Sequence, residues 1–124
     1  MGSLKALRRA AFERQHHRCH YCGVQMWESG GDPLPQLGRP RLLQCTAEHL
    51  HARCDGGADR ADNIVAACRF CNERRHQRAV PLTPAAYLQH VARRLAQRRW
   101  HPAFIHAARL LPNRSTAAGP AAMC

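Results

Sequence analysis

Two Cys-x-x-Cys pairs, Cys19 with Cys22 and Cys68 with Cys71, constrain this chain more than any other feature in it. Each pair sits in a tight turn that brings two sulfurs to one side, and two such turns complete a tetrahedron. The pairs are far apart in the sequence, so the chain between them must leave and return. At 124 residues, with much of its apolar content in alanine and few aromatics, the chain can build only a marginal core, which a four-thiolate zinc staple would help to hold. The total of seven cysteines is odd, which does not suit a secreted disulfide framework. A redox dithiol is the other chemistry open to Cys-x-x-Cys, but two such pairs without a thioredoxin-like pattern favour metal. Cys45, Cys54 and Cys124 fall in no ligand spacing and read as small buried or surface thiols. His20 stands outside a shell that four cysteines already fill.

The formal net charge is +11, carried almost entirely by arginine, since Lys5 is the single lysine. Zinc bound through four thiolates lowers this to about +9. Such a balance favours polyanions, nucleic acid first, and arginine suits phosphate because its planar fork bonds two oxygens at once. A GC-rich genome also enriches Arg and Ala, so the charge points to a partner and not to a chemistry. No apolar run is long enough to span a membrane. The opening MGSLKALRRAAF lacks the apolar stretch of a secretory signal, and Ala6 stands where a myristoylation start needs Ser or Thr. The expected setting is a reducing, cytoplasmic one, in a bacterial or phage context.

Helical spacing of Leu4, Leu7, Ala11 and Phe12 behind Ser3 predicts a first helix over 3–17. A knuckle follows at 18–23, then a Gly- and Pro-rich loop over 28–40. Strands are expected at 41–47 and 63–67, separated by a loop around Gly56-Gly57. A helix is expected from Cys68 to about Arg78, ended by Pro81. Another opens at Thr83-Pro84 with Leu88, Val91 and Leu95 on its apolar face, and a short one covers 103–111. No internal repeat is visible. The organisation is thus an N-terminal helix (1–16), a core (17–80), a helical extension (81–112) and a disordered small-residue tail (113–124).

Between the cysteine pairs runs EHLHARCDGGADRADNIVAACRFCN, residues 48–72. Glu48-His49, Gly56-Gly57, Asp62-Asn63-Ile64-Val65 and Cys68-x-x-Cys71-Asn72, in that order, resemble the HNH endonuclease family. The third position is Asn72 rather than His, so the resemblance is to a His-Asn-Asn variant with a four-cysteine zinc site. It covers roughly residues 17–78. It implies an α+β fold, the ββα-metal (His-Me finger) nuclease core, stapled by zinc and flanked by helices.

The resemblance implies roles for particular residues. His49 would be the general base that takes a proton from the attacking water. Glu48 and Asn72 would bind a catalytic Mg²⁺ or Mn²⁺ through oxygen. Asn63 would orient the loop carrying His49. His76, one helical turn after Asn72, is a further candidate ligand, a DNA contact or plain surface, and His51 reads as a surface loop residue, with a place near the metal as the alternative. The implied reaction is hydrolysis of DNA phosphodiesters to 5′-phosphate and 3′-hydroxyl ends. Neighbours on a regular strand face opposite sides. For Glu48 and His49 to reach one phosphate, irregular backbone is expected at 48–50.

Arg69, Arg74, Arg75 and Arg78 are expected to contact phosphates, with Arg8, Arg9, Arg14, Arg93, Arg94, Arg98 and Arg99 in support. Trp27 and Trp100 either stack on bases or fill the core, the core being favoured. Double-stranded DNA is the expected partner, with a separate protein supplying any sequence specificity. A zinc-knuckle module that binds nucleic acid without catalysis needs the same cysteines and charge, but not Glu48, His49 and Asn72. A zinc-built protein adaptor would need neither DNA nor those three residues.

Overall fold

The computed structural model describes residues 3–112, and the expected tail from 113, with Cys124, lies outside them. Helix α1 (Leu4–Arg14) starts at Ser3, whose hydroxyl accepts from the Ala6 amide at 3.1 Å. It buries Ala11 and Phe12 against a two-stranded antiparallel sheet, β1 (Cys45–His49) and β2 (Ile64–Cys68). Helix α2 (Arg69–Arg75) leaves β2 directly, capped by Cys68, whose sulfur accepts from the Cys71 amide. Helix α3 (Pro84–Ala96) opens with Thr83 accepting from Ala86 and with Pro84 in the first turn, and a short α4 (Ala103–Ala107) follows.

The sheet is small because its outer edge is capped rather than extended. The Gln15 side chain takes the place of a neighbouring strand. Its Nε2 donates to the Ala66 carbonyl at 2.8 Å, and its Oε1 accepts from the Ala66 amide at 2.9 Å. Ala66, so engaged, cannot pair with a further strand.

Leu43, Val24, Met26 and Ala66 fill the centre of the core. Tyr87, Leu88 and Val91 of α3, with Trp100, Ile105 and Leu110, join the same core, and Leu95 packs against it half-buried. Both tryptophans belong to the packing. Trp100 is buried, and Trp27 packs on the core while its indole N–H donates to the Pro40 carbonyl at 2.7 Å.

Several elements differ in extent from the sequence expectation. Residues 41–43 form a single 3-10 turn, and the strand expected at 41–47 runs instead over 45–49. Pro40 and Arg41 carry the chain around a corner before pairing begins. The first helix stops at Arg14 because His16 and His17 adopt left-handed backbone (φ 56° and 66°). The helix expected to reach Arg78 ends at Arg75, and the one expected over 103–111 ends at Ala107.

Candidate nuclease centre and thiolate site

The knuckle and the β2–α2 junction bring Cys19, Cys22, Cys68 and Cys71 together, all buried, with their sulfurs within 4.8 Å of one another. The Cys22 and Cys68 sulfurs are 3.8 Å apart. That separation is what two thiolates show on a tetrahedral zinc with bonds of about 2.3 Å. Each sulfur faces an N–H group. Tyr21 N–H points at Cys19 (3.4 Å), Val24 N–H at Cys22 (3.5 Å), Cys71 N–H at Cys68 (3.5 Å) and the Trp100 indole at Cys71 (3.3 Å). Such donors favour the thiolate form that a metal requires.

Burial opposes ionisation of all four thiols. Bonds from Cys22, Cys68 and Cys71 nonetheless hold Cys19 well below its ordinary value, while burial drives those three up. A divalent cation would replace the thiol protons, so the donor set fits zinc. Two further cysteines lie among the described residues outside this group. Burial pushes the Cys45 thiol up to about 12, and Cys54 is exposed.

Two residues of the extension that carry no motif complete this site. Trp100 is one. His101 is the other, with Nε2 3.2 Å from the Cys22 sulfur and 4.0 Å from that of Cys68. Burial pushes the His101 imidazole down to about 4, so it stays neutral.

The second centre lies at the end of the hairpin, and here an expectation fails. Glu48 and His49 are not on irregular backbone. Both pair regularly with β2, Glu48 with Val65 and His49 with Ile64, and the strand ends only after them. Alternation therefore separates the two side chains.

Glu48 turns inward and is 2% exposed. Its Oε2 accepts from the Tyr21 hydroxyl at 3.0 Å and from Arg75 Nη1 at 2.8 Å, and its Oε1 lies 3.0 Å from His76 Nε2. Burial, then the Glu48 charge, pushes the Tyr21 phenol up, so it remains a donor.

Arg75 needs a second correction. Expected on the phosphate-facing surface, it is 6% exposed. Its guanidinium donates to Glu48 and to the carbonyls of Leu82, His49 and Leu50, at 2.8 to 3.3 Å. Turned into the core at the end of α2, it ties the hairpin to the start of the extension. Arg69 is half committed, its guanidinium donating to Gln44 Oε1 at 2.6 Å and lying 3.8 Å from Glu73. Arg74 lies over the Phe70 ring at 3.7 Å, and both Arg74 and Arg78 remain exposed.

His49 Nε2 is 2.7 Å from Asp59 Oδ1, a partner that no spacing in the sequence indicated. The bond from His49 holds the Asp59 carboxyl below its usual range. Arg53 reaches the other oxygen of Asp59 at 3.4 Å.

Asn63 closes the loop between the strands. Its Oδ1 accepts from the His51 amide at 2.8 Å, and its Nδ2 donates to the carbonyls of His51 (3.0 Å) and Ala58 (2.9 Å). Within that loop Gly56 is left-handed (φ 93°). A Cβ on Gly57 would run into the His51 and Ala52 carbonyls, so both glycines are required. Asn72 uses Nδ2 to bond Thr46 Oγ1 (3.0 Å) and the Ala47 carbonyl (3.3 Å), fixing α2 on β1. The structure thus joins Glu48 with His76, and places Asn72 against the same strand.

A small antiparallel hairpin, a following helix and four clustered cysteines that could hold a metal define the ββα class. Residues 19–78 match the HNH endonuclease family model, and over that span the chain is an HNH domain. Comparison with curated proteins and with solved structures returned no match. The family acts on nucleic acids, and its members are generally nucleases. No helix among the described residues is long and apolar enough to cross a membrane.

Proposed function

We propose that this HNH domain is a divalent-metal-dependent DNA endonuclease, with Glu48 and His76 holding the cation and His49 acting as general base. The observation that carries this reading is the 3.0 Å separation of Glu48 Oε1 and His76 Nε2. Two ligands at adjacent corners of an octahedron with bonds of about 2.1 Å stand about 3.0 Å apart, so both could hold one ion with little movement. Asn72, its nitrogen committed to β1, has Oδ1 left to offer. A bound Mg²⁺ or Mn²⁺ would supply charge stabilisation for the leaving oxygen.

The remaining work falls to side chains. The Asp59 carboxylate favours the tautomer with the proton on Nε2 of His49, which leaves Nδ1 to accept a proton from water. Asn63 fixes the loop that carries Asp59. Arg74 and Arg78 engage phosphates. From Arg74 to the C-terminus there is no acidic residue, so the extension presents uncompensated positive charge to the backbone of the substrate. The products would carry 5′-phosphate and 3′-hydroxyl ends.

One observation favours a second reading, a nucleic-acid-binding module without catalysis. The Arg75 guanidinium already neutralises Glu48, and regular pairing turns His49 away from it. Cleavage of supercoiled plasmid by zinc-loaded protein separates the two. The nuclease reading expects nicks or breaks with Mg²⁺ or Mn²⁺, none with EDTA, and loss in His49→Ala. DNA binding with no cleavage under any divalent metal would establish the module instead.

A further inference from the structure

We propose that Tyr21 is a positioning residue for the cation of the hairpin, and that its hydroxyl selects a small octahedral ion by reserving one oxygen of Glu48 for it. The proposal rests on the reading of Glu48 and His76 as ligands of that ion. The two oxygens of the carboxylate are placed differently. Oε2 accepts from the Tyr21 hydroxyl at 3.0 Å and from Arg75 Nη1 at 2.8 Å, whereas Oε1 meets only His76 Nε2, at 3.0 Å. A carboxylate oxygen offers about two lone-pair sites. Both sites of Oε2 are taken, one of them by a cationic group, so an incoming ion is left with Oε1.

Arg75 alone does not fix that division. A guanidinium is a fork that accommodates both oxygens of a carboxylate, and Glu48 could turn about its own axis to meet it. The Tyr21 hydroxyl is a single donor, and it pins Oε2. It is aimed from outside the hairpin. Tyr21 lies in the turn between Cys19 and Cys22, with its backbone N–H directed at the Cys19 sulfur at 3.4 Å. Its ring is buried and meets those of Tyr87 and His20 nearly at right angles, with centroids 4.8 and 5.0 Å away. The packing of the thiolate knuckle therefore sets where the hydroxyl points. Ligation through one oxygen suits Mg²⁺ or Mn²⁺, which hold close to octahedral geometry with short bonds. Ca²⁺ is larger, accepts flexible geometry and takes a carboxylate through one oxygen or both. Releasing Oε2 from Tyr21 would thus harm the small ions more than calcium. Groups that orient a metal ligand ordinarily contribute about tenfold to hundredfold in affinity.

The test measures Mn²⁺ affinity by electron paramagnetic resonance, and Ca²⁺ affinity by competition with Mn²⁺, on the zinc-loaded full chain. Wild type, Tyr21→Phe and His76→Ala are compared. Tyr21→Phe keeps the ring and its packing and removes only the hydroxyl. It is expected to retain its zinc, to lose about tenfold to hundredfold in Mn²⁺ affinity, and to lose distinctly less for Ca²⁺. Mn²⁺ affinity unchanged in Tyr21→Phe, while His76→Ala abolishes binding, would overturn the role of Tyr21 and leave the ligand assignment standing. Mn²⁺ binding equal in wild type and His76→Ala, or absent from wild type, would remove that assignment and the proposal with it. Equal losses for Mn²⁺ and Ca²⁺ in Tyr21→Phe would show a general loosening of the site and no selection. A Tyr21→Phe chain that holds no zinc would make the hydroxyl part of the fold, and would also overturn the proposal.

Discussion

The Glu48 carboxylate and the Arg75 guanidinium form a buried ion pair, Oε2 to Nη1 2.8 Å, between two side chains that are 2% and 6% exposed. Neither charge can be left alone there. Removing one partner of such a pair strands the other in low dielectric and costs about 3–5 kcal/mol. Arg75 also satisfies three backbone carbonyls, so Arg75→Met should destabilise the domain by at least that much in denaturant titration. Arg75→Lys restores the charge but not the fork, and should recover only part of the loss. A stable, fully folded Arg75→Met protein would show that the pair is dispensable.

His49 and Asp59 should lose activity to different degrees. Removing a positioned general base costs about 10²–10⁴ in rate, so His49→Ala is expected to fall to background in plasmid cleavage while the fold is retained. Asp59→Asn keeps the hydrogen bond but not its charge, and the amide can pair with either imidazole nitrogen state. A partial loss is expected, expressed in kcat rather than KM. Equal cleavage by wild type and His49→Ala would remove the assigned base.

Asn63 carries three hydrogen bonds that hold the loop on the hairpin, and each is worth about 1 kcal/mol net. Asn63→Ala should lose about 2–3 kcal/mol of stability, together with activity. Asn63→Asp keeps the acceptor for the His51 amide but sets a carboxylate oxygen against the His51 and Ala58 carbonyls, and should do no better. Stability unchanged in both variants would mean that the loop is held by its other contacts, His49 with Asp59 among them.

Local chemistry made much of this legible in the sequence. Cys19, Cys22, Cys68 and Cys71 declare themselves because two short turns with sulfur at both ends have few other uses. Ser3, Thr83 and Pro84 mark helix starts because capping is settled within four residues. Apolar runs and turn signals marked the two strands and the helix after them, and the resemblance over roughly 17–78 implied how they are arranged. Long-range partners were not legible. Nothing near Arg75 indicates that it turns inward, since its neighbours Arg74 and Arg78 are exposed and the carboxylate it meets lies 27 positions away. Asp59 and His101 are each chosen by where a loop or an extension returns, and no spacing rule encodes a return. The irregular backbone expected at Glu48-His49 came from requiring a shared target, whereas strand pairing satisfied the backbone first.

His90 offers a pH test of the basic extension. It lines a cleft of about 260 Å³ with Arg74, Gln77, Arg78 and Tyr87. Burial lowers its pKa, and Arg78, Arg93 and Arg94 lower it further. An unfolded chain takes up this proton first as pH falls, so the free protein should lose stability as pH drops below the ordinary histidine value of about 6.5 towards the lower folded value. A phosphate lodged against the arginines cancels their repulsion and raises the His90 pKa again. Nucleic-acid binding should then take up protons and tighten as pH falls through that window, at constant salt. Proton NMR of the His90 ring, free and with a short DNA duplex, reads both values. Arg78→Ala should raise the free value and shrink the shift on binding. A His90 resonance that titrates identically with and without DNA would place the polyanion elsewhere on the surface.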